Sequence, residues 1–183
     1  MIDSIANSFM QLLVTYPYSK ITIQMICENT PISRNAFYYH YKNKESLVEQ
    51  ICYRDYVKNA IPYFTIAADN IRHKVFFQYI IKNKEFYNSL YSADDGKLLY
   101  RCLTYAYYEG MAQEYSKDYA PPIRSNKYKI DSKLFRYFNS AGIAAVILYW
   151  IKTGMKTPIE DIAKDMTIFF TKSPEDIITN HMY

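Results

Sequence analysis

The sequence predicts an all-α protein of about nine helices, with three short helices at the N-terminus followed by a larger helical part. Three observations predict it. Half of the 183 residues are apolar and only 4 are glycine, a composition that favours packed helices over a turn-rich β protein or a disordered chain. Apolar positions recur three and four residues apart along most of the chain. The breaks between these stretches carry helix-capping residues, prolines and glycines.

Taken in order, Ile2, Ile5, Ala6, Phe9, Leu12 and Leu13 form the buried stripe of a first amphipathic helix. Tyr16-Pro17-Tyr18 ends it, because proline disfavours the helical conformation in the residue before it. Thr22 caps a short second helix whose Ile23, Ile26 and Cys27 face inward. Asn29-Thr30-Pro31-Ile32 is the next break, and Ser33 caps a third helix. In that helix Phe37 and Tyr41, spaced i, i+4, point to the core and leave Arg34, Asn35, Tyr38 and His40 on other faces. Two short helices joined by a turn of about four residues, the second of them polar, make a helix-turn-helix. Asn43 then caps a fourth helix that runs from Lys44 through Leu47, Val48, Ile51, Cys52 and Val57.

Pro62 kinks or ends the fourth helix. Helices follow at Ile71 to Ile81 and Glu85 to Tyr91, and after the turn Asp94-Asp95-Gly96 another runs from Leu98 to Tyr115. Ser116 to Ser132, with Pro121-Pro122, reads as one long mobile loop. Phe135 to Lys152 is an apolar helix with small residues, Ser140, Ala141, Gly142, Ala144 and Ala145, at its middle, and Gly154 closes it. Thr157-Pro158-Ile159-Glu160 reads as a capping box opening the last helix, whose stripe is Ile159, Ile162, Ala163, Met166, Phe169 and Phe170.

Charge and motif content narrow the function classes. The net charge is +4 and the pI is near 8.7, a mild basicity that favours an anionic partner. Residues 1 to 50 are neutral as a whole, Lys20, Arg34, Lys42 and Lys44 balancing Asp3, Glu28, Glu45 and Glu49. Between Ser33 and Lys44, however, there are three positive charges and no acid, so the basic character of this part is local to the third helix and its end. The three cysteines are widely spaced with no C-x-x-C pair, which indicates neither a disulfide framework nor a metal site. His40, His73 and His181 are isolated, and H-E-x-x-H, G-x-S-x-G and phosphate-loop motifs are absent, so no catalytic residues, cofactors or metal ligands are expected. The apolar run Ala141 to Ile151 is shorter than the ~20 residues of a membrane helix, and no signal peptide opens the chain. A soluble cytoplasmic protein is expected.

The run Ile21-Thr22-Ile23, Ile26-Cys27-Glu28, Ile32 to Tyr41 and Lys44-Glu45-x-Leu47 resembles the DNA-binding domain of the TetR family of transcriptional regulators, and in local wording the branch associated with dihydroxyacetone kinase genes. The likeness implies a helix-turn-helix domain over residues 1–47 and a helical ligand-binding and dimerisation domain over 48–183. It implies a homodimer formed through the last two helices, Phe135 to Lys152 and Thr157 to Thr171, and bound to a palindromic site on double-stranded DNA. Arg34, Asn35 and Ala36 fall at base-contacting positions of the family. Arginine donates two bonds to guanine, asparagine pairs with adenine, and the alanine methyl meets that of thymine. Tyr38, His40 and Lys44 fall at phosphate-contacting positions, with Thr22 and the start of the second helix holding a further phosphate. Ser33 and Tyr39 complete the DNA-binding set.

Two points stay open. The family carries glycine where this chain has Pro31, so the turn before the third helix must be built without a left-handed residue. The effector of such a regulator is a small molecule or a protein partner. Phe64, Phe76, Tyr79 and Tyr105 or Tyr108 are candidate lining for a pocket, and a co-regulator acting mainly through a protein is the alternative.

Overall fold

A computed structural model of the chain describes residues 2–59, 69–114, 131–180 and 182. Among the described residues every regular element is helical, and there are ten α-helices. They are α1 (Ile2–Thr15), α2 (Ile23–Glu28), α3 (Arg34–His40), α4 (Lys44–Asn59), α5 (Asp69–Lys82), α6 (Lys84–Asp94), α7 (Lys97–Glu114), α8 (Ser132–Lys152), α9 (Ile159–Thr171) and α10 (Pro174–Asn180). A single 3₁₀ turn, Tyr18–Lys20, lies between α1 and α2. The expected kink at Pro62 and the loop over residues 116–130 lie outside the described residues, as does Phe64.

The local signals act where the sequence puts them. Thr22 Oγ1 accepts from the Met25 N–H at 3.2 Å, and Ser33 Oγ accepts from the Ala36 N–H at 3.1 Å. Asn43 and Ser46 bond reciprocally at the start of α4, Ser46 N–H to Asn43 Oδ1 at 2.8 Å and Asn43 N–H to Ser46 Oγ at 3.1 Å. The end of α8 is a Schellman motif. The Met155 N–H reaches the Trp150 carbonyl at 2.8 Å and the Gly154 N–H reaches that of Ile151 at 2.9 Å, with Gly154 at φ +77°.

Three expectations are corrected. The capping box at α9 does not form: Pro158 occupies the cap position without a side-chain bond, and the helix begins at Ile159. The Thr157 carbonyl instead accepts from the Trp150 indole N–H at 2.9 Å, and Glu160 reaches across to Lys74 on α5 at 2.8 Å. A proline carbonyl already opens the helical ladder there, so the threonine hydroxyl is one residue too early to reach an orphan N–H. Secondly, a short helix, α10, follows α9, so the helices named as the last two are α8 and α9 and are not the last of the ten among the described residues. Its start is marked by the Asp176 N–H donating to Ser173 Oγ at 3.2 Å, a cap followed by proline at the first position. Thirdly, α8 begins three residues before Phe135, at a cap formed by Asp131 Oδ1 with the Lys133 and Leu134 N–H groups.

The core runs through both parts of the chain without a break. Ile5, Phe9 and Leu13 of α1, Ile26 of α2, Phe37 and Tyr41 enclose the N-terminal part, and α4 carries Leu47, Val48, Ile51, Cys52 and Tyr56 on into the larger one. There α7 packs between α4 and α8, and α5 packs on α9. Tyr56, Phe76 and Tyr107 meet ring to ring, with centroids 4.1 Å apart for Tyr56 and Tyr107. Gly110 makes this cluster fit, since a Cβ there would lie 2.3 Å from Tyr56 Cε1. The buried side of α8 is Ile143, Ala144, Ile147, Trp150 and Ile151, with Trp150 edge-on to Phe77 at 5.1 Å. Its opposite side is bare among the described residues: Leu134, Phe138 and Tyr149 are exposed, and no described atom lies within 4 Å of where a Gly142 Cβ would be.

Candidate nucleic-acid interface

Helix α3 is held from behind and open in front. Phe37 is fully buried and Tyr41 nearly so, their rings 5.5 Å apart, which clamps the helix to the N-terminal core through one side. Arg34, Asn35 and Ser33 are exposed, Ala36 is half-buried, Tyr38 is 48% exposed and Tyr39 is 85% exposed. Packing therefore leaves a guanidinium, an amide and two phenols on the outer surface of one short helix, all able to donate hydrogen bonds. The cap oxygens of Thr22 and Ser33 accept backbone N–H groups, so each hydroxyl proton is still available to an anion.

The turn carrying Pro31 answers how α3 is aimed without glycine. Asn29 at the end of α2 keeps right-handed helical angles, φ −83° and ψ −4°. The Thr30 N–H donates to the Cys27 carbonyl at 3.2 Å, and the Ile32 N–H donates to the Thr30 carbonyl at 2.6 Å, closing a γ-turn centred on Pro31. That turn asks for a central φ near about −75°, close to the value proline enforces. Neither residue of the turn appears among the positive-φ positions of the described residues, which are Asp95, Gly96, Gly154 and Met155. Two polar side chains, to which the sequence assigns no role, secure it. Ser8 Oγ of α1 donates to the Ile26 carbonyl at 3.2 Å, the hydroxyl of Thr30 donates to the same carbonyl, and both residues are buried. Their signal in the sequence is faint, a serine on the apolar side of α1 and a threonine just after α2.

His40 and Lys44 are placed differently from the rest. His40 is half-buried beside a hollow of about 340 Å³ between α1 and α4, lined also by Ile2, Ala6, Ile51 and Arg54. Its Nε2 is buried without a hydrogen-bond partner among the described residues. The Lys44 ammonium donates to the Tyr18 carbonyl at 2.9 Å and the Ile21 carbonyl at 2.6 Å, and it lies 4.4 Å from the Tyr18 ring centroid. Burial holds its pKa below the ordinary lysine value. The Tyr18 hydroxyl donates to Glu45 at 3.0 Å beside it. Burial and the Glu45 carboxylate push that phenol's pKa up.

Behind the interface, Arg54 of α4 spans the two parts. It donates to Asp3 of α1 at 2.8 Å and to the buried Asp55 at 3.1 Å, and Asp55 in turn takes a hydrogen bond from Tyr79 of α5. Burial raises the pKa of Asp55, whereas the Arg54 bond lowers that of Asp3. The aromatics named for an effector pocket, Phe64 aside, each have a partner among the described residues. Phe76 belongs to the Tyr56–Tyr107 cluster and Tyr79 is tied to Asp55. Tyr105 faces Tyr53, and Tyr108 is bonded to Arg136.

Comparison with known proteins agrees with this geometry. Residues 9–51 match the model of bacterial regulatory proteins of the tetR family, and residues 74–172 match a transcriptional regulator C-terminal region of the same family. No curated protein gives a significant match to the sequence as a whole. Among solved structures the fold is similar to that of a dihydroxyacetone kinase operon activator, DhaS, at 18% identity and TM-score 0.57 over 92% of each chain. It is also similar to a TetR transcriptional regulator from Streptococcus agalactiae 2603V, at 22% identity and TM-score 0.55 over 92% of each chain. A third is the fatty acid degradation regulator FadR from Bacillus halodurans, at 12% identity and TM-score 0.55 over 94% of this chain and 95% of that one.

Proposed function

The chain belongs to the TetR family of transcriptional regulators, and from that premise we propose that it binds a palindromic operator as a homodimer, under control of an effector acting on its C-terminal part. The observation that carries this reading is the outer face of α3, where Arg34, Asn35, Tyr38 and Tyr39 stand exposed on a helix fixed from behind by Phe37 and Tyr41. Arg34, Asn35 and Ala36 read base edges in the major groove, and Thr22, Ser33, Tyr38 and Tyr39 fix the register on phosphate and sugar. Paired α3 helices one helical turn of DNA apart match a two-fold symmetric site.

The bare side of α8, with Leu134, Phe138, Gly142 and Tyr149, and the exposed Phe169 and Phe170 of α9 support pairing of two subunits as a four-helix interface. The division of labour falls at residues 47 and 48, inside α4, so that one continuous helix joins reader and controller. An effector would act only through unequal affinity for the DNA-competent and incompetent arrangements of the two subunits. A protein effector is the second reading, which the likeness of the Ile21 to Leu47 run to the dihydroxyacetone kinase branch supports. The reading is of a cytoplasmic regulator and not an enzyme.

Footprinting of the purified protein on DNA flanking its own gene tests the proposal. A protected, two-fold symmetric site whose occupancy falls with salt is expected. Binding that ignores sequence, or none, would refute it.

A further inference from the structure

Lys44 occupies the position from which a cation is expected to reach phosphate, yet its ammonium is already committed. Two of its three N–H donors go to the Tyr18 and Ile21 carbonyls, and the remaining charge lies against the Tyr18 ring, whose hydroxyl is fixed in turn by Glu45. The two carbonyls belong to the segment that delivers the 3₁₀ turn into Thr22 and α2, 26 and 23 residues away in sequence. Ile21 is 1% exposed, so withdrawing the ammonium would strip a partner from a carbonyl in an apolar setting. Lys20 and Lys42, by contrast, are exposed, and no bond or ion pair holds either ammonium among the described residues. Lys20 sits between the two residues whose carbonyls Lys44 grips, and Lys42 lies two residues before Lys44, so the grip brings the backbone that carries these two lysines together.

We propose that Lys44 is an internal tether that positions the start of α2, and that Lys20 and Lys42 are the cations that neutralise DNA phosphates beside α3. This rests on the DNA-binding reading above. Each phosphate neutralised by a lysine steepens the dependence of log K on log salt by ~0.9, or about 3.5-fold in affinity between about 50 and 200 mM salt.

The experiment titrates wild type, Lys20→Ala, Lys42→Ala, Lys44→Met and Lys44→Arg with a short duplex of arbitrary sequence over that salt range, and follows backbone amide hydrogen exchange in each free protein. Lys20→Ala and Lys42→Ala are expected to lower the slope by ~1 each with unchanged exchange. Lys44→Met is expected to keep the wild-type slope, bind more weakly, and exchange faster over residues 18–26. Lys44→Arg, which can donate to both carbonyls, is expected to restore both.

The proposal is overturned if Lys44→Met keeps wild-type exchange and loses ~1 from the slope, or if neither Lys20→Ala nor Lys42→Ala changes it. Should Lys44→Met fail to fold, recovery of fold and slope in Lys44→Arg supports the tether, and no recovery refutes it. If wild type shows no salt-dependent binding, the DNA-binding reading falls and the assignment of Lys20 and Lys42 with it, while exchange in the Lys44 variants still decides the tether.

Discussion

Replacing Pro31 by the glycine that the family carries at this place is expected to destabilise the protein, although it restores a family feature. The turn between α2 and α3 uses no left-handed residue: Asn29 is at φ −83°, and the Ile32 N–H to Thr30 carbonyl bond of 2.6 Å closes around a residue whose ring presets the angle required. Pro31 is exposed and donates no hydrogen bond, so glycine would neither relieve a clash nor satisfy a free acceptor. What changes is the unfolded chain, which gains conformations it must lose on folding, at a cost of about 0.4–1 kcal/mol. Around 1 kcal/mol corresponds to a fall of roughly 2–4 °C in the thermal midpoint of a chain this size, so a fall of about 1–4 °C is expected by calorimetry. Affinity for DNA should fall with it, because α3 loses a stiff approach. An unchanged or higher midpoint for Pro31→Gly would refute the account, by showing that the turn is strained as it stands.

Arg34→Ala is expected to relax sequence preference at one operator position by about 1–3 kcal/mol with little change in binding to arbitrary DNA, measured with a panel of single-base operator variants. Phe138→Glu with Tyr149→Glu should give a folded monomer by light scattering, since both side chains are exposed on the bare side of α8. Gly110→Ala would need Tyr56 to retreat by about 1.2 Å to reach an ordinary carbon contact. The overpacking cost of about 1–3 kcal/mol outweighs the ~1 kcal/mol gain in helix propensity, so the thermal midpoint should drop, whereas Gly142→Ala, with open space around it, should not lower the stability of the monomer. For Asp3, the Arg54 bond depresses the folded pKa below the unfolded value, so its contribution is present above about pH 4 and is lost as pH falls through the folded pKa. The difference in midpoint between wild type and Asp3→Asn should therefore be visible at neutral pH and vanish in acid.

Much of the framework of the N-terminal part is legible in the sequence. Thr22, Ser33 and Asn43 cap the helices they precede, and Phe37 and Tyr41 point inward as their spacing requires. These signals are local: a cap oxygen and its N–H partner lie three residues apart, and an i, i+4 pair shares a helix face whatever surrounds it. Spacing misleads at Thr157 and Glu160: Pro158 takes the cap position, and the Glu160 carboxylate goes to Lys74 of α5 instead of back to the Thr157 N–H.

What the sequence by itself determined is which stretches are helical, where they start, and which side of α3 is buried, because each depends on residues within one or two turns. What only the tertiary structure decided is where the long and polar side chains go. Lys44 is carried to carbonyls 26 and 23 residues away, Ser8 and Thr30 meet on one carbonyl of α2, and Gly110 makes room for a ring from α4. A lysine side chain can swing its charge through a wide arc, so its partner is chosen by whatever acceptors packing brings within that arc, and no spacing along the chain records it.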